Sequence, residues 1–513
     1  MDKVRYTLLV VFLGMGQIGC FQPAAPLPLP DAPPADHVLL IIVDTLRADH
    51  LPTYGYSRET APFLDELSRQ ATVFTRAIST STYTPEAVSS LFTGCFPSAT
   101  PWGAGWYARP DPGRTTLAPH FQASGYRTAL FSATPMLLSP EYLRGFEKVQ
   151  CYSQFGLSGE GPRLVMEALE WLQAHAQEKT FLYLHFLDPH APFDPPAAYR
   201  SQFTQATEKS LGWLEEVRPK LPQLIKEGFG PGEARFESIV ADYDAEIRFI
   251  DDSVKDLFSG MEAIGIKSKT LAVIAADHGE EFLEHGFMEH GWRIYPETVH
   301  IPLIFWRPGA VPAGRIDTFV SIADIFPSLA QLQGLTMPRE AIDGRPLYVR
   351  DTQRRWAPAP ESRVLISELI VPSRSVVRTV LDPPWFYIAS PRWLTPEECS
   401  AISVSQRTIR SEMLAGTRPQ IDTWLPPVYE ALYNLEIDPG AQNDVLAAET
   451  SRHALMKQHL EDYRLRCPMQ LSDTYKATLH DALANSGAAS GAPEPTAEGG
   501  ASVHEELKSL GYL

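Results

Sequence analysis

The stretch Leu271–Gly291, LAVIAADHGEEFLEHGFMEHG, concentrates groups that bind cations and move protons. It opens with an unbroken apolar run, Leu271–Ala276, of the length and type of a fully buried strand. The run stops at Asp277-His278-Gly279, so a carboxylate and an imidazole fall at the C-terminal edge of the expected sheet. Ligands of open α/β sheets bind at that edge. His285 and His290 follow in a loop rich in Gly and acid. Taken alone, Asp277 reads equally as a helix cap and the histidines as solvated loop residues. A second strand weakens that plainer reading. Val38–Val43 is again continuous and β-branched, as parallel strands covered on both faces are, and it ends in Asp44. Two hard oxygen donors and an imidazole suit one divalent cation, with calcium, magnesium, manganese and zinc all admissible and the imidazole leaning toward the last two.

The nucleophile candidate lies in 78–94, ISTSTYTPEAVSSLFTG. Thr84-Pro85-Glu86 has the pattern of a helix start, a hydroxyl at the N-cap followed by Pro and an acid. Ala87, Val88, Leu91 and Phe92 would form its buried face, and Gly94 its C-cap. A hydroxyl at that end sits where free N–H groups favour an anion, and a neighbouring cation would lower its pKa toward the alkoxide. Residues 180–187, TFLYLHFL, read as another buried strand running into Asp188-Pro-His190-Ala-Pro, which sets His190 at the same edge. His185, inside that strand, reads as a satisfied core residue.

These groups need a scaffold. Further strands are expected at 125–132 and 301–306, and helices at 163–175, 205–262 (broken at 228–232) and 324–335. Past about 355 the segments shorten to strands at 364–369, 376–381 and 385–389, then a turn at 437–440. This reads as α/β: a central, mostly parallel sheet flanked by helices over 37–355, a small antiparallel subdomain over 356–467, and a partly flexible tail over 468–513.

The chain has 513 residues, 44% hydrophobic and 21% charged, with a net charge of −18. No basic stripe is available for phosphates, so a nucleic-acid partner is excluded. Lys3 and Arg5 precede an apolar stretch, 6–15, too short to span a bilayer. Gln17-Ile18-Gly19-Cys20 resembles a bacterial lipoprotein signal, with Gln17 where Leu is preferred, and a Pro-rich linker spans 21–36. The expectation is export and membrane anchoring at the cell envelope through a lipid on Cys20. Cys95, Cys151, Cys399 and Cys467 do not form a disulfide framework, and no pairing is deduced.

Together these pieces resemble the sulfatase family of the alkaline phosphatase superfamily. The matching stretches are VDTLRADHL (43–51), SSLFTG (89–94), HFLDPHAPF (185–193), YDAEIRFIDD (243–252), ADHGEEFLEHG (276–286), EHGWRIYPETVHIPLI (289–304), DIFPSLAQLQGL (324–335) and LYNLEIDPG (432–440). The resemblance implies an alkaline-phosphatase-like fold and a metal-dependent hydrolase acting on a sulfate or related ester of a small molecule, lipid or glycan. By position it makes Asp44, Asp277 and His278 metal ligands, supplemented by the oxygen of Thr84. His190 and His290 would hold the anion or protonate the leaving group, and His285 would play a supporting or purely structural part. The chain departs from the family where a Cys or Ser, oxidised to formylglycine, stands in a C/S-x-P-S-R pattern. Counting back from Thr93-Gly94 puts Thr84 at that position and Val88 at the Arg. Threonine cannot give the aldehyde. Thr45 stands where a second Asp ligand is frequent. Cys95-Phe-Pro-Ser98 lacks the Arg, having Ala99 there, and reads as a decoy. Three functions fit: a sulfate or phosphate ester hydrolase using Thr84, a phospho-alcohol transferase or phosphodiesterase, and a degenerate binding protein that kept the fold.

Overall fold

The computed structural model describes residues 32–99, 110–152, 159–204, 217, 220–350, 352, 355–358, 362–371, 375–392, 427 and 429–466. Cys20, the expected leader and the part of the expected linker up to residue 31, Cys399, Cys467 and the expected tail 468–513 lie outside them.

Ten of the strands, in chain order, are β1 (His37–Val43), β2 (Ala71–Ile78), β3 (Arg127–Ser132), β4 (Lys148–Cys151), β5 (Thr180–Phe186), β6 (Thr270–Ala276), β7 (Glu281–Phe282), β8 (Met288–Glu289), β9 (His300–Trp306) and β10 (Gly314–Ser321). All but β7 and β8 form one eight-stranded sheet in the order β10-β2-β9-β6-β1-β5-β3-β4. Only β9 runs against the others, pairing antiparallel with β2 and β6. The fold is therefore the mostly parallel, helix-flanked sheet that the apolar runs imply. The central strands β1, β5 and β6 are buried along their whole length, which is why they carry continuous apolar sequence rather than alternation.

Register positions the site. In β1, Val43 lies opposite both Ala276 of β6 and Phe186 of β5, and Ile42 lies opposite His185. The residues that follow, Asp44 and Asp277, thus leave the sheet side by side.

A second sheet, four-stranded and antiparallel, follows β11 (Tyr348–Arg350) and β12 (Trp356–Pro358): β13 (Leu365–Val371), β14 (Ser375–Asp382), β15 (Trp385–Arg392) and β16 (Tyr429–Asn434), in that order. Its edge strand β13 docks on the segment preceding Thr84. The Glu368 amide donates to the Thr80 carbonyl (2.8 Å) and the Ser367 hydroxyl to the Ser79 carbonyl (2.6 Å). Behind this sheet the helix Thr450–Arg466 buries Met456 and Tyr463 against Ile366, Val380 and Leu432. The Tyr463 hydroxyl donates to Glu368 (2.6 Å), whose carboxylate also accepts from Arg378 (2.8 Å) and the Ser98 amide (2.9 Å). Among the described residues, no helix is long and apolar enough to cross a membrane.

Candidate active site

The site gathers at the C-terminal ends of β1, β5 and β6. Asp44, Thr84, His185, Asp277 and His278 are all fully buried, and His190 is 6% exposed. Both carboxylate oxygens of Asp44, Oδ2 of Asp277, Nε2 of His185 and the hydroxyl of Thr45 have no hydrogen-bond partner. Buried polar groups in folded proteins are otherwise almost always paired, and an unpaired buried carboxylate is costly. Five such atoms at three neighbouring strands are what a cation-binding cradle would leave. The ligand atoms of Asp44, His185 and Asp277 lie within 4.8 Å of one another. The donor set therefore fits a divalent metal of the kind the sulfatase family generally binds.

His278 faces the same point. Its Nδ1 is 3.0 Å from the Gly279 carbonyl, which can only accept, so that nitrogen is a donor and Nε2 is the ring atom nearest the site. Nε2 is 3.2 Å from the Thr84 hydroxyl, 3.6 Å from Asp277 Oδ2 and 3.8 Å from Asp44 Oδ1. The corner that aims it depends on Gly279: a Cβ there would sit 2.1 Å from the Glu297 carbonyl oxygen. Burial opposes ionisation of Asp44, yet the surrounding His185, His190 and His278 hold its carboxyl below the usual range. Burial, and then the Asp44 charge, push Asp277 the other way.

Thr84 begins the helix Thr84–Thr93, but it is not the cap; Tyr83 takes that position in extended backbone, and no side chain caps the helix. The expected N-cap role is corrected accordingly. Freed from capping, the Thr84 hydroxyl faces His278. The C-terminal cap is Gly94, left-handed at φ 70°, as the sequence suggests. Glu86 does not add charge to the site. It points toward β13, accepting from Ser81 (2.5 Å) and the Ile370 amide (3.1 Å), and burial pushes its pKa up to about 8.

His190 and His290 lie beside this group. Their rings are 5.0 Å apart, and His290 lies 4.5 Å from His278. The Nδ1 of His190 meets the Ala191 carbonyl at 2.6 Å, while burial lowers its pKa. The Nδ1 of His290 is 3.2 Å from Glu280, a buried carboxylate that orients the ring.

One expectation changes, for His185, while His285 takes the structural part open to it. His185 is buried in β5 but is not a satisfied core residue: Nδ1 is 2.7 Å from the Tyr183 hydroxyl, while Nε2 is 3.4 Å from Asp44 Oδ2 without hydrogen-bond geometry. His285 stands apart, bound by Glu297 (2.6 Å) and the Ala441 carbonyl (3.0 Å) and stacked on Tyr295 at 3.5 Å. Cys95 is at the far end of the Thr84 helix, buried against Arg114 (3.0 Å), and burial raises its pKa to about 11. Sequence reasoning also missed Tyr243, whose hydroxyl donates to the Thr45 carbonyl (2.8 Å) and accepts from the Arg47 amide (3.0 Å). It pins the turn after β1, where Thr45 adopts a left-handed φ of 55°, a costly conformation for a β-branched residue.

A central sheet with paired carboxylates at its strand ends and a hydroxyl at a facing helix start defines an α/β fold of the alkaline-phosphatase type. More narrowly, the family model "Sulfatase" matches residues 36–335, and the chain belongs to the sulfatase family. It is 24% identical over 351 residues to "Arylsulfatase K" of Mus musculus, covering 59% of this chain and 62% of that protein. It is likewise 24% identical over 348 residues to "Ulvan-active sulfatase" of Formosa agariphila, covering 62% of this chain and 65% of that one. The chain thus spans somewhat less than two thirds of the length of these curated relatives. Similar solved structures include the phosphonate monoester hydrolase of Agrobacterium radiobacter (TM-score 0.60, 20% identity, 85% of this chain and 96% of that one). A "2-O GAG sulfatase" is also similar (TM-score 0.62, 18% identity, 87% and 94%).

Proposed function

We propose that this protein is a metal-dependent hydrolase of sulfate or phosphate monoesters that uses Thr84 as its nucleophile. The observation that carries this reading is the Thr84 hydroxyl, 3.2 Å from His278 Nε2, in a site where both carboxylate oxygens of Asp44 and Oδ2 of Asp277 are buried without hydrogen-bond partners. Asp44, Asp277, His278 and the Thr84 oxygen would hold the cation. When bound, it lowers the pKa of the hydroxyl and offsets charge on the non-bridging ester oxygens. The Thr84 hydroxyl releases its proton to solvent and its oxygen attacks sulfur or phosphorus in line; the bond to the leaving alcohol oxygen breaks, and that oxygen takes a proton from His290 or His190. Water then attacks the Thr84 adduct, returning a proton to the same histidine, and the Thr84 oxygen departs as inorganic sulfate or phosphate is released.

His290 is suited to the acid role because Glu280 meets its Nδ1 and its ring lies 4.5 Å from that of His278. The missing Arg at Val88 takes one anion clamp away, and His190 compensates only in part. The substrate would be a small-molecule, lipid or glycan ester, and an N-terminal lipid at Cys20 would hold the enzyme near a membrane. Retention of six converging site residues argues against a binding protein that has lost its chemistry.

The test is turnover of aryl sulfate, aryl phosphate and aryl phosphodiester with manganese, zinc, magnesium or calcium, followed by intact-mass analysis. The expected result is Thr84-dependent monoester cleavage with a transient adduct on Thr84. Adduct transfer to an added alcohol in preference to water would replace hydrolysis with a transferase reading. Silence on every ester from metal-loaded protein would defeat the proposal.

A further inference from the structure

We infer that His185 is a direct ligand of the proposed cation, making a centre of two imidazoles and two carboxylates that selects manganese or zinc over calcium. The inference rests on the metal-dependent reading above and adds a residue to it.

A histidine inside a parallel strand normally packs with both ring nitrogens satisfied. His185 has one. Its buried Nε2 makes no well-formed hydrogen bond and lies 3.4 Å from Asp44 Oδ2, a long contact to a carboxylate that is itself a candidate ligand. The register of β5 on β1 puts it there, because His185 pairs with Ile42, two residues before Asp44. Together with Asp277 it completes a set of ligand atoms no more than 4.8 Å apart. The other nitrogen is arranged as metal-bound histidines require. Nδ1 meets the Tyr183 hydroxyl at 2.7 Å, which fixes the ring and leaves the Nε2 lone pair for the metal when Nδ1 is the donor. Tyr183 is itself fully buried and packs edge-on against Phe92 of the Thr84 helix, with ring centroids 4.9 Å apart, so it cannot swing away.

The consequence is selectivity. Calcium takes six to eight oxygen ligands, whereas this centre offers two nitrogens with the oxygens of Asp44, Asp277 and Thr84. Imidazole donors shift preference toward manganese and zinc.

The experiment uses the full chain, stripped of metal and titrated with manganese and with calcium. Coordinated nitrogens are counted by pulsed EPR on manganese-loaded protein carrying 15N-histidine. The expected count is two imidazoles in the wild type and one in each of His185→Gln and His278→Gln. His185→Gln should weaken manganese binding by about 10- to 100-fold and calcium binding much less. Tyr183→Phe should weaken manganese binding while keeping two nitrogens. A wild type with a single imidazole, lost only in His278→Gln, would overturn the inference and leave the metal-dependent reading standing. A wild type that binds neither cation would bring down that reading itself, and the inference with it. Should His185→Gln not fold, the wild-type count and Tyr183→Phe still decide.

Discussion

Two histidine clusters lie seven residues apart on one loop, and their polar atoms meet opposite fates. Around His278, carboxylate oxygens and a ring nitrogen are buried with nothing to bond. Around His285, Glu297 and the Ala441 carbonyl take both ring nitrogens, Tyr295 covers the ring, and the Arg293 guanidinium reaches the His285 carbonyl (3.2 Å). Glu281 accepts from the His285 and Phe287 amides. Both groups have the composition of a metal site, and Glu281, His285 and Glu297 are near enough to one another to hold an ion. Composition therefore does not separate them; satisfaction does. The closed cluster fastens the loop to the Asp438–Gln442 turn, whereas the open one is left for a ligand.

The sharpest way to break this contrast is at Asp277. Asp277→Ala is expected to abolish both metal binding and turnover, read by metal content and ester hydrolysis, and retention of either would collapse the distinction. Thr84→Ala comes next: turnover should drop by more than about 10³-fold while bound metal remains, as measured on the same protein preparation. In the other cluster the effect should be on stability. His285→Ala leaves Glu297 buried without its partner and should cost about 3 kcal/mol in denaturant unfolding, with metal content unchanged.

The same cluster predicts a pH dependence. Burial opposes protonation of His285, but the Glu297 hydrogen bond and charge raise its pKa overall; burial and Glu297 push Glu281 up to about 8. Both folded-state values lie above the unfolded ones. Their stabilisation is thus complete below the unfolded pKa values and is lost as pH rises through the folded ones. Wild-type stability should decline from pH 6 to 9, and Glu297→Gln should flatten that slope in unfolding curves. The smallest effect is expected at Cys95→Ala, with unchanged turnover and a stability loss of about 1 kcal/mol. Loss of activity there would undo the assignment of Thr84.

Much of the fold was legible because β1, β5 and β6 are buried on both faces and so read as apolar runs, with Asp44 and Asp277 as obvious interruptions. His185 was hidden by the same rule. A polar residue inside such a run looks like a core residue until the register shows which strand end lies beside it. Thr84 was placed one residue off because Tyr83, a poor capping residue by type, takes the cap without a side-chain bond. The direction of Glu86 depends on Ile370, 284 residues away, and no local pattern reports that contact. The long helix Ala234–Ile264 falls, but for its last turn, within the helical reading of 205–262 after the break at 228–232.

The docking of β13 on residues 79–86 has a consequence for how the protein is made. Ser79, Thr80 and Glu86 each find a partner in Ser367, Glu368 and Ile370, so the strand that steadies the Thr84 segment is synthesised well after that segment. Closing so long a loop is slow relative to local folding. A chain interrupted before residue 365 would carry every residue proposed for chemistry and still lack the brace that fixes Thr84. Competence would then arrive late in synthesis, and nascent or truncated chains would be silent toward esters met along the way.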